Sequence, residues 1–163
     1  MFKRILIPVD GSDTASKALV AGLGMARETG ASVRLLHALN EMAYLGGMAP
    51  DGTWSGDLAG MVREGGAKVL ADATAIAQSA GVEPSQVLLE EPGKRLGEAV
   101  ADAAKLWGAD LVVVGSHGRR GMGRVLLGSG AEQILRLAPV PVLVVRGEGP
   151  DQGRGFAIAA SPA

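Results

Sequence analysis

Apolar positions follow two different spacings along this chain, and the two spacings alternate. Short runs such as Ile5 to Val9 are apolar at nearly every position, which is typical of strands buried on both faces of a sheet. Between these runs, apolar residues recur every three or four positions, as on the buried side of an amphipathic helix. The runs predict strands over residues 5–9, 32–39, 87–89, 110–114 and 141–145. The helical spacing predicts helices from about residue 13 to 30 and over residues 58–80, 96–107 and 131–137.

This alternation of strand and helix predicts a single α/β domain, because successive parallel strands need a helical crossover between them. We expect a doubly wound parallel sheet with helices on both faces and a ligand crevice at the carboxyl ends of the strands. The domain is predicted to cover residues 1–146, followed by a flexible tail over residues 147–163. Glycine-rich residues 40–57 predict a long loop, and Gly65 and Gly66 weaken the second helix, so that it can break there.

Composition removes several classes of function. The chain has 163 residues, and its 16 Lys plus Arg against 17 Asp plus Glu give a net charge of −1, which argues against nucleic-acid binding. The absence of Cys excludes thiol catalysis, iron–sulfur clusters and cysteine zinc sites, and only two histidines, His37 and His117, are present. No apolar stretch approaches the roughly 20 residues of a membrane-spanning helix. We therefore expect a soluble, cytoplasmic protein without membrane insertion.

The segment from Gly115 to Gly130 lies between the clearest predicted strand and the last helix, and it carries the strongest chemical signal. Its glycines allow backbone N–H groups to line an anion site, and Ser129 would lie at a helix N-terminus, which favours phosphate. Three Arg residues and no acidic residue occur between Ser116 and Ala131. The segment therefore predicts a phosphate-binding loop, the simpler alternative being a surface loop that only connects two elements. It lacks both the Gly-Lys-Ser/Thr of a P-loop and the G-x-G-x-x-G of dinucleotide-binding folds.

Within this segment the pattern G-x2-G-x9-G-[ST] is matched by Gly115, Gly118, Gly128 and Ser129. Three further landmarks are the opening residues 5–12, the Leu-Leu-His-Ala of residues 35–38 and the Pro-Val-Pro-Val-Leu-Val-Val of residues 139–145. With these landmarks in order, the chain resembles the ATP-binding branch of the universal stress protein family over residues 1–146. The resemblance implies a five-stranded parallel sheet of strand order 3-2-1-4-5, which would place Asp10 beside the loop that starts at Gly115.

The resemblance also implies which residues bind ATP, with Mg²⁺ as the expected metal. Pro8, Val9 and Asp10 would lie against the nucleoside, with Asp10 near the ribose or a phosphate-bound metal, and Ala38 would offer backbone groups to adenine. The ribose and phosphates would be wrapped by Gly115, Ser116, His117, Gly118, Arg119, Arg120 and Gly121. The phosphate tail would be held by Gly128, Ser129 and Gly130. No residue is assigned a catalytic role.

Several of these assignments have a simpler structural alternative. Asp10 would also serve as the cap of the first helix, and His37 is expected to pack at a strand end rather than touch the ligand. The arginines of the loop would be solvated charges in the free protein. Gly130 and Ala131 stand where the family often has a β-branched residue and a second hydroxyl, so one phosphate donor is missing here.

The leading hypothesis is a regulatory protein that holds ATP and signals its occupancy to a protein partner that the sequence does not identify. The alternatives are a slow ATPase, a nucleotide-free interaction module, and AMP in place of ATP. No Lys or evident general base stands within the motif, which argues against efficient phosphoryl transfer. The apolar last strand would be exposed at a sheet edge unless it pairs, and the family commonly dimerises through this strand. We expect a homodimer, with a tetramer as the alternative.

Overall fold

The computed structural model describes residues 1–39, 56–91, 93–117 and 127–146. Most of the loop predicted over residues 40–57 and all of the tail predicted over residues 147–163 lie outside these ranges. None of the helices in the described ranges combines the length and the apolar character that a membrane span requires.

Strands and helices alternate in the predicted order. The strands are β1 (Arg4–Pro8), β2 (Ser32–Ala38), β3 (Ser85–Leu89), β4 (Leu111–Gly115) and β5 (Val142–Val145). The helices are α1 (Asp13–Thr29), α2 (Gly56–Ser79), α3 (Leu96–Trp107) and α4 (Ser129–Leu137). The type of each of these elements matches the sequence prediction, and the largest differences in bounds are that β3, α2 and α4 each begin two residues earlier than predicted.

The sheet is parallel throughout, with strand order β3-β2-β1-β4-β5. This order confirms the one that the resemblance implies. Ile5 in the central strand β1 pairs with Val33 of β2 on one side and with Leu111 of β4 on the other. The chain order therefore reverses between β1 and β4, where the loops after the two strands leave in opposite directions and open a crevice.

Two apolar layers form the core, one on each face of the sheet. Because successive strand residues point to opposite faces, Ile5 and Ile7 pack under α1 and α2, whereas Leu6 packs under α3 and α4. All three side chains are fully buried. This double burial explains why the first strand is apolar throughout rather than alternating.

Helix α2 runs without a break through Gly65 and Gly66, so the weakening by these glycines does not interrupt it. A Cβ on Gly66 would lie 2.6 Å from Leu39 Cδ2 and 2.9 Å from Leu88 Cδ1. Glycine at this position thus lets α2 approach the ends of β2 and β3 closely. Packing against the sheet outweighs the local weakening of the helix by glycine.

The amino ends of the strands are held by a cluster of polar contacts. The carboxylate of Asp110 accepts hydrogen bonds from the backbone amides of Lys3 (2.8 Å) and Arg4 (2.9 Å). The guanidinium of Arg4 donates to the carbonyl of Trp107 (2.7 Å), and that of Arg34 lies 4.7 Å from the centre of the Trp107 ring. Burial alone would raise the pKa of Asp110, but the hydrogen bonds from the Arg4 and Lys3 amides lower it below its usual value.

Candidate functional site

A cleft of about 690 Å³ lies at the opposite end of the sheet, beyond the carboxyl ends of the strands. Its walls come from the ends of β1, β2 and β4 and from α2, α3 and the first turns of α4. This volume lies within the range of about 300–1,000 Å³ that is usual for sites of small-molecule ligands and cofactors. The cleft therefore lies where the reversal of strand order predicts a ligand site.

Asp10 forms the first wall, in the turn between β1 and α1. Its Oδ1 accepts hydrogen bonds from the amide (2.9 Å) and the hydroxyl (2.6 Å) of Ser12. Ser12, not Asp10, caps α1, because the Ser12 hydroxyl accepts from the amide of Ala15 (3.3 Å). Asp10 thus fixes the turn through one oxygen, and no hydrogen bond within the described ranges engages its Oδ2.

His37 lies near the end of β2 and is 8% exposed. Its Nδ1 lies 2.7 Å from the carbonyl oxygen of Val9, which fixes the backbone that follows β1. His37 therefore packs at a strand end, as predicted, and it also contributes to the cleft wall.

The end of β4 lies unusually close to the first turn of α1. A Cβ on Gly115 would come within 2.6 Å of the Thr14 carbonyl carbon, so only glycine fits here without a backbone shift. The Thr14 hydroxyl donates to the carbonyl of His117, and the hydroxyl of buried Ser116 lies 2.9 Å from His117 Nδ1. His117 Nε2 is buried and has no hydrogen-bond partner within the described residues.

The second half of the motif forms the N-terminus of α4. The amide of Gly128 donates to the carbonyl of Ser116 (2.7 Å), which joins the two halves of the motif directly. Gly128 is the N-cap of α4, and its carbonyl accepts the first helical hydrogen bond, from Glu132 (2.9 Å). The amides of Ser129, Gly130 and the next residue therefore have no partner within the helix, as at any helix N-terminus. Such amides attract anions.

The structure brings most of the predicted site residues to this cleft. Those that line it are Pro8, Val9, Asp10, Ala38, Gly115, His117, Gly128, Ser129 and Gly130. Ser116 is buried directly behind the wall, between Gly115 and His117. Gly118, Arg119, Arg120 and Gly121 lie outside the described residues.

Sequence reasoning missed the contributions of α2 and α3. Val62 and Val69 of α2 add an apolar wall, and Lys94 and Arg95 at the start of α3 add positive charge. The glycines of α2 were a usable signal, because a helix that carries Gly65 and Gly66 can approach a ligand or a neighbouring strand closely.

Lys94 forms ion pairs with two carboxylates of this chain. Its Nζ lies 2.9 Å from Asp102 and 3.0 Å from Glu91. The hydrogen bonds to Asp102 and Glu91 raise the pKa of Lys94, and the same contact with Lys94 lowers the pKa of Asp102. Within the described ranges, no three or more His, Asp or Glu side chains are grouped so that they could hold a metal ion.

Comparison with known proteins places this geometry in context. The model of the universal stress protein family matches residues 1–146. Universal stress protein MJ0531 of Methanocaldococcus jannaschii is 34% identical over 146 residues, which make up 90% of this chain and 83% of that protein.

Two solved structures show the same fold at higher than 25% identity. A universal stress family protein from Burkholderia pseudomallei is 31% identical with a TM-score of 0.68, over 88% of this chain and 95% of that one. The universal stress protein of Archaeoglobus fulgidus in complex with dAMP is 26% identical with a TM-score of 0.62, over 88% and 97% of the two chains. Fold, glycine motif and relatives agree, and the chain belongs to the universal stress protein family.

Proposed function

We propose that this protein binds ATP together with Mg²⁺ in the cleft and acts in regulation through the occupancy of that site. The observation that carries the proposal is the meeting of three features at one place: the Asp10 turn, residues 115–117 at the end of β4, and the open N-terminus of α4. The relative solved with dAMP supports an adenine nucleotide as the ligand class. The proposal that the ligand is ATP rather than AMP rests on the glycine motif.

The residues present fit a nucleotide. The buried, unpartnered Nε2 of His117 lies in the cleft wall and would gain a hydrogen-bond partner from a polar ligand. The free amides at Ser129 and Gly130 suit phosphate oxygens. Apolar Val62 and Val69 face the same space and suit the flat faces of a base.

Asp10 is the described carboxylate best placed to hold Mg²⁺. Mg²⁺ is usually held in nucleotide sites by one or two carboxylates, phosphate oxygens and water. When bound, the ion would neutralise part of the phosphate charge. The oxygen of Asp10 that is not used in the Ser12 turn is the group that this chain would supply.

We also propose that the protein is a homodimer that pairs through β5. This strand lies at the edge of the sheet and has only β4 as a neighbour in the described chain. Leu143 on this strand is 37% exposed. An unpaired apolar edge favours addition of a second strand. The cytoplasmic location expected from the sequence stays a prediction.

The test of the nucleotide site is calorimetric titration of nucleotide-free protein with ATP and Mg²⁺. We expect micromolar binding by the native protein and none by a Gly128→Val, Ser129→Ala variant. Gly128 has φ −62° and ψ 149°, an extended conformation that valine adopts readily. The variant therefore adds a side chain at the N-terminus of α4 without straining the backbone.

A control variant carries the same types of change away from the cleft, Gly24→Val and Ser79→Ala. Gly24 has no neighbouring atom within 4 Å of an added Cβ. The control should bind like the native protein. Failure of the native protein to bind would overturn the proposal and favour the nucleotide-free interaction module, whereas release of ADP during long incubation would identify the slow ATPase.

A further inference from the structure

Arg95 differs from the other charged side chains that line the cleft. Lys94 is paired with Glu91 and Asp102, and Asp10 is held by Ser12. Arg95 is exposed, and within the described residues its guanidinium has neither a carboxylate partner nor a hydrogen bond. Among the described residues that line the cleft, Arg95 is therefore the cation whose charge is not paired with a carboxylate.

Packing of α3 on α4 places Arg95 next to the second half of the glycine motif. The following residue, Leu96, packs on Gly130, because a Cβ on Gly130 would lie 2.9 Å from Leu96 Cδ2. One residue further, Gly97 fits against the backbone of Gln133, whose carbonyl oxygen would lie 2.7 Å from an added Cβ. The N-terminal parts of α3 and α4 are thus packed directly against each other beside the cleft.

The position of Arg95 relative to the motif determines which part of a nucleotide it faces. Ser116 and Gly128 are joined by a hydrogen bond, and Gly115 and Gly128 line the cleft together with the ends of β1 and β4. Arg95 lines the cleft together with Ser129 and Gly130, and it directly precedes Leu96, which packs on Gly130. A phosphate chain bound at the free amides of Ser129 and Gly130 would therefore have the Arg95 side chain beside it.

We propose that Arg95 contacts the phosphates beyond the first and sets a preference for nucleoside di- and triphosphates over monophosphates. The inference rests on the nucleotide site proposed above. A guanidinium is suited to this role because its planar fork can donate two hydrogen bonds to phosphate oxygens. The first phosphate is left to the backbone donors of the motif, so that AMP binding does not need Arg95.

The experiment compares calorimetric affinities for ATP, ADP and AMP in the native protein and in Arg95→Gln. We expect affinity for ATP and ADP to fall by about tenfold and affinity for AMP to change by less than about twofold. Arg95→Lys keeps the charge but loses the fork, and it should recover about a third of the lost ATP affinity. The loss should shrink as salt is raised.

The matched control is Lys105→Gln, which removes one positive charge from the far end of the same helix. It should leave all three affinities unchanged. The backbone amide of Arg95 donates to Glu98 Oε2 (3.2 Å) at the start of α3, and this amide is kept in every variant. Circular dichroism checks that the overall helix content of each variant matches that of the native protein. If Arg95→Gln lowers the affinity for AMP as much as the affinity for ATP, or changes neither affinity, the inference is wrong although the nucleotide site stands. If the native protein binds none of the three, the proposed function itself fails.

Discussion

Gly115 and Thr14 lie so close together that a single methyl group on Gly115 would come within 2.6 Å of the Thr14 carbonyl carbon and 2.9 Å of the next backbone nitrogen. The first glycine of the nucleotide motif is thus also a packing residue between β4 and α1. Because the atoms it would meet belong to the backbone, no side-chain rotation relieves the clash.

We expect Gly115→Ala to lower the free energy of unfolding by about 2 kcal/mol or more, through overpacking between β4 and α1. Urea denaturation of the native protein and the variant measures the difference. Loss of nucleotide binding in this variant would then report a damaged fold, so Gly128 and Ser129 are the better positions for testing the site.

Gly24→Ala is the matched substitution. Gly24 is an exposed position within α1 with no atom within 4 Å of an added Cβ, so alanine should raise the free energy of unfolding by about 0.5–1 kcal/mol. Equal effects of the two alanine substitutions would contradict the close approach at Gly115.

Asp10→Asn separates the structural and ligand roles of that residue. Asparagine keeps an oxygen that can accept from Ser12, so the turn before α1 should persist, but it removes the negative charge. We expect the stimulation of ATP binding by Mg²⁺ to be reduced by about tenfold, with AMP binding nearly unchanged. Titrations with and without Mg²⁺ measure this, and an unchanged Mg²⁺ effect would remove Asp10 from the metal site.

Asp110 gives a prediction about pH. Its pKa is lowered in the folded protein, so its contribution to stability is present above the unfolded pKa of about 3.9 and is lost as pH falls through the folded value. At neutral pH, Asp110→Asn should lower the free energy of unfolding by about 1 kcal/mol.

The difference in free energy of unfolding between the native protein and Asp110→Asn should begin to shrink below about pH 4. It should close as the pH falls through the lowered pKa of Asp110, because a protonated carboxyl resembles the amide. Denaturation curves at several pH values follow this difference directly. Asp72→Asn serves as control, since the Lys68–Asp72 pair is exposed on α2 and should contribute little at any pH. A gap that stays constant into acid would show that the charge of Asp110 does not matter.

The edge strand β5 offers a test of dimerisation. The backbone amides of Val112 in β4 and of Ser116, which directly follows β4, donate to the carbonyls of Pro141 (3.0 Å) and Val145 (2.8 Å). Backbone groups alternate along a strand, so those of Val144 face the open edge. Val144→Pro removes an outward N–H without breaking the bonds to β4. We expect it to convert a dimer into a monomer in light scattering, while Val144→Thr stays dimeric.

Two outcomes would count against pairing through β5. One is a native protein that is monomeric at all accessible concentrations. The other is a Val144→Pro variant that keeps its fold by circular dichroism and remains a dimer.

The sequence was sufficient for the order and type of the described elements, because both faces of the central strands are covered and their residues are apolar without interruption. It was less accurate at β3, which begins with polar Ser85 and Gln86 because it lies at an edge. It also placed the start of α4 two residues late, at Ala131, because Ser129 and Gly130 are typical of a loop by composition.

The candidate site was predicted in part. Asp10, Gly115 and Ser129 follow from a motif and a strand order, and both are properties that sequence expresses. Arg95 does not follow from either, because its place in the cleft is set by how α3 packs on α4. That contact depends on Gly97 and Gln133, which are distant in sequence and carry no recognisable pattern.

The position of Trp107 has a practical consequence for spectroscopy. Its ring is held by Arg34 and its carbonyl by Arg4 at the amino ends of the strands, at the other end of the sheet from the cleft. In a Trp54→Phe variant, Trp107 is the single indole of the chain. Its fluorescence would then follow unfolding of the sheet and should stay constant during a nucleotide titration. Fluorescence of this variant thus reports the stability of the sheet alone, independently of nucleotide binding, which calorimetry measures.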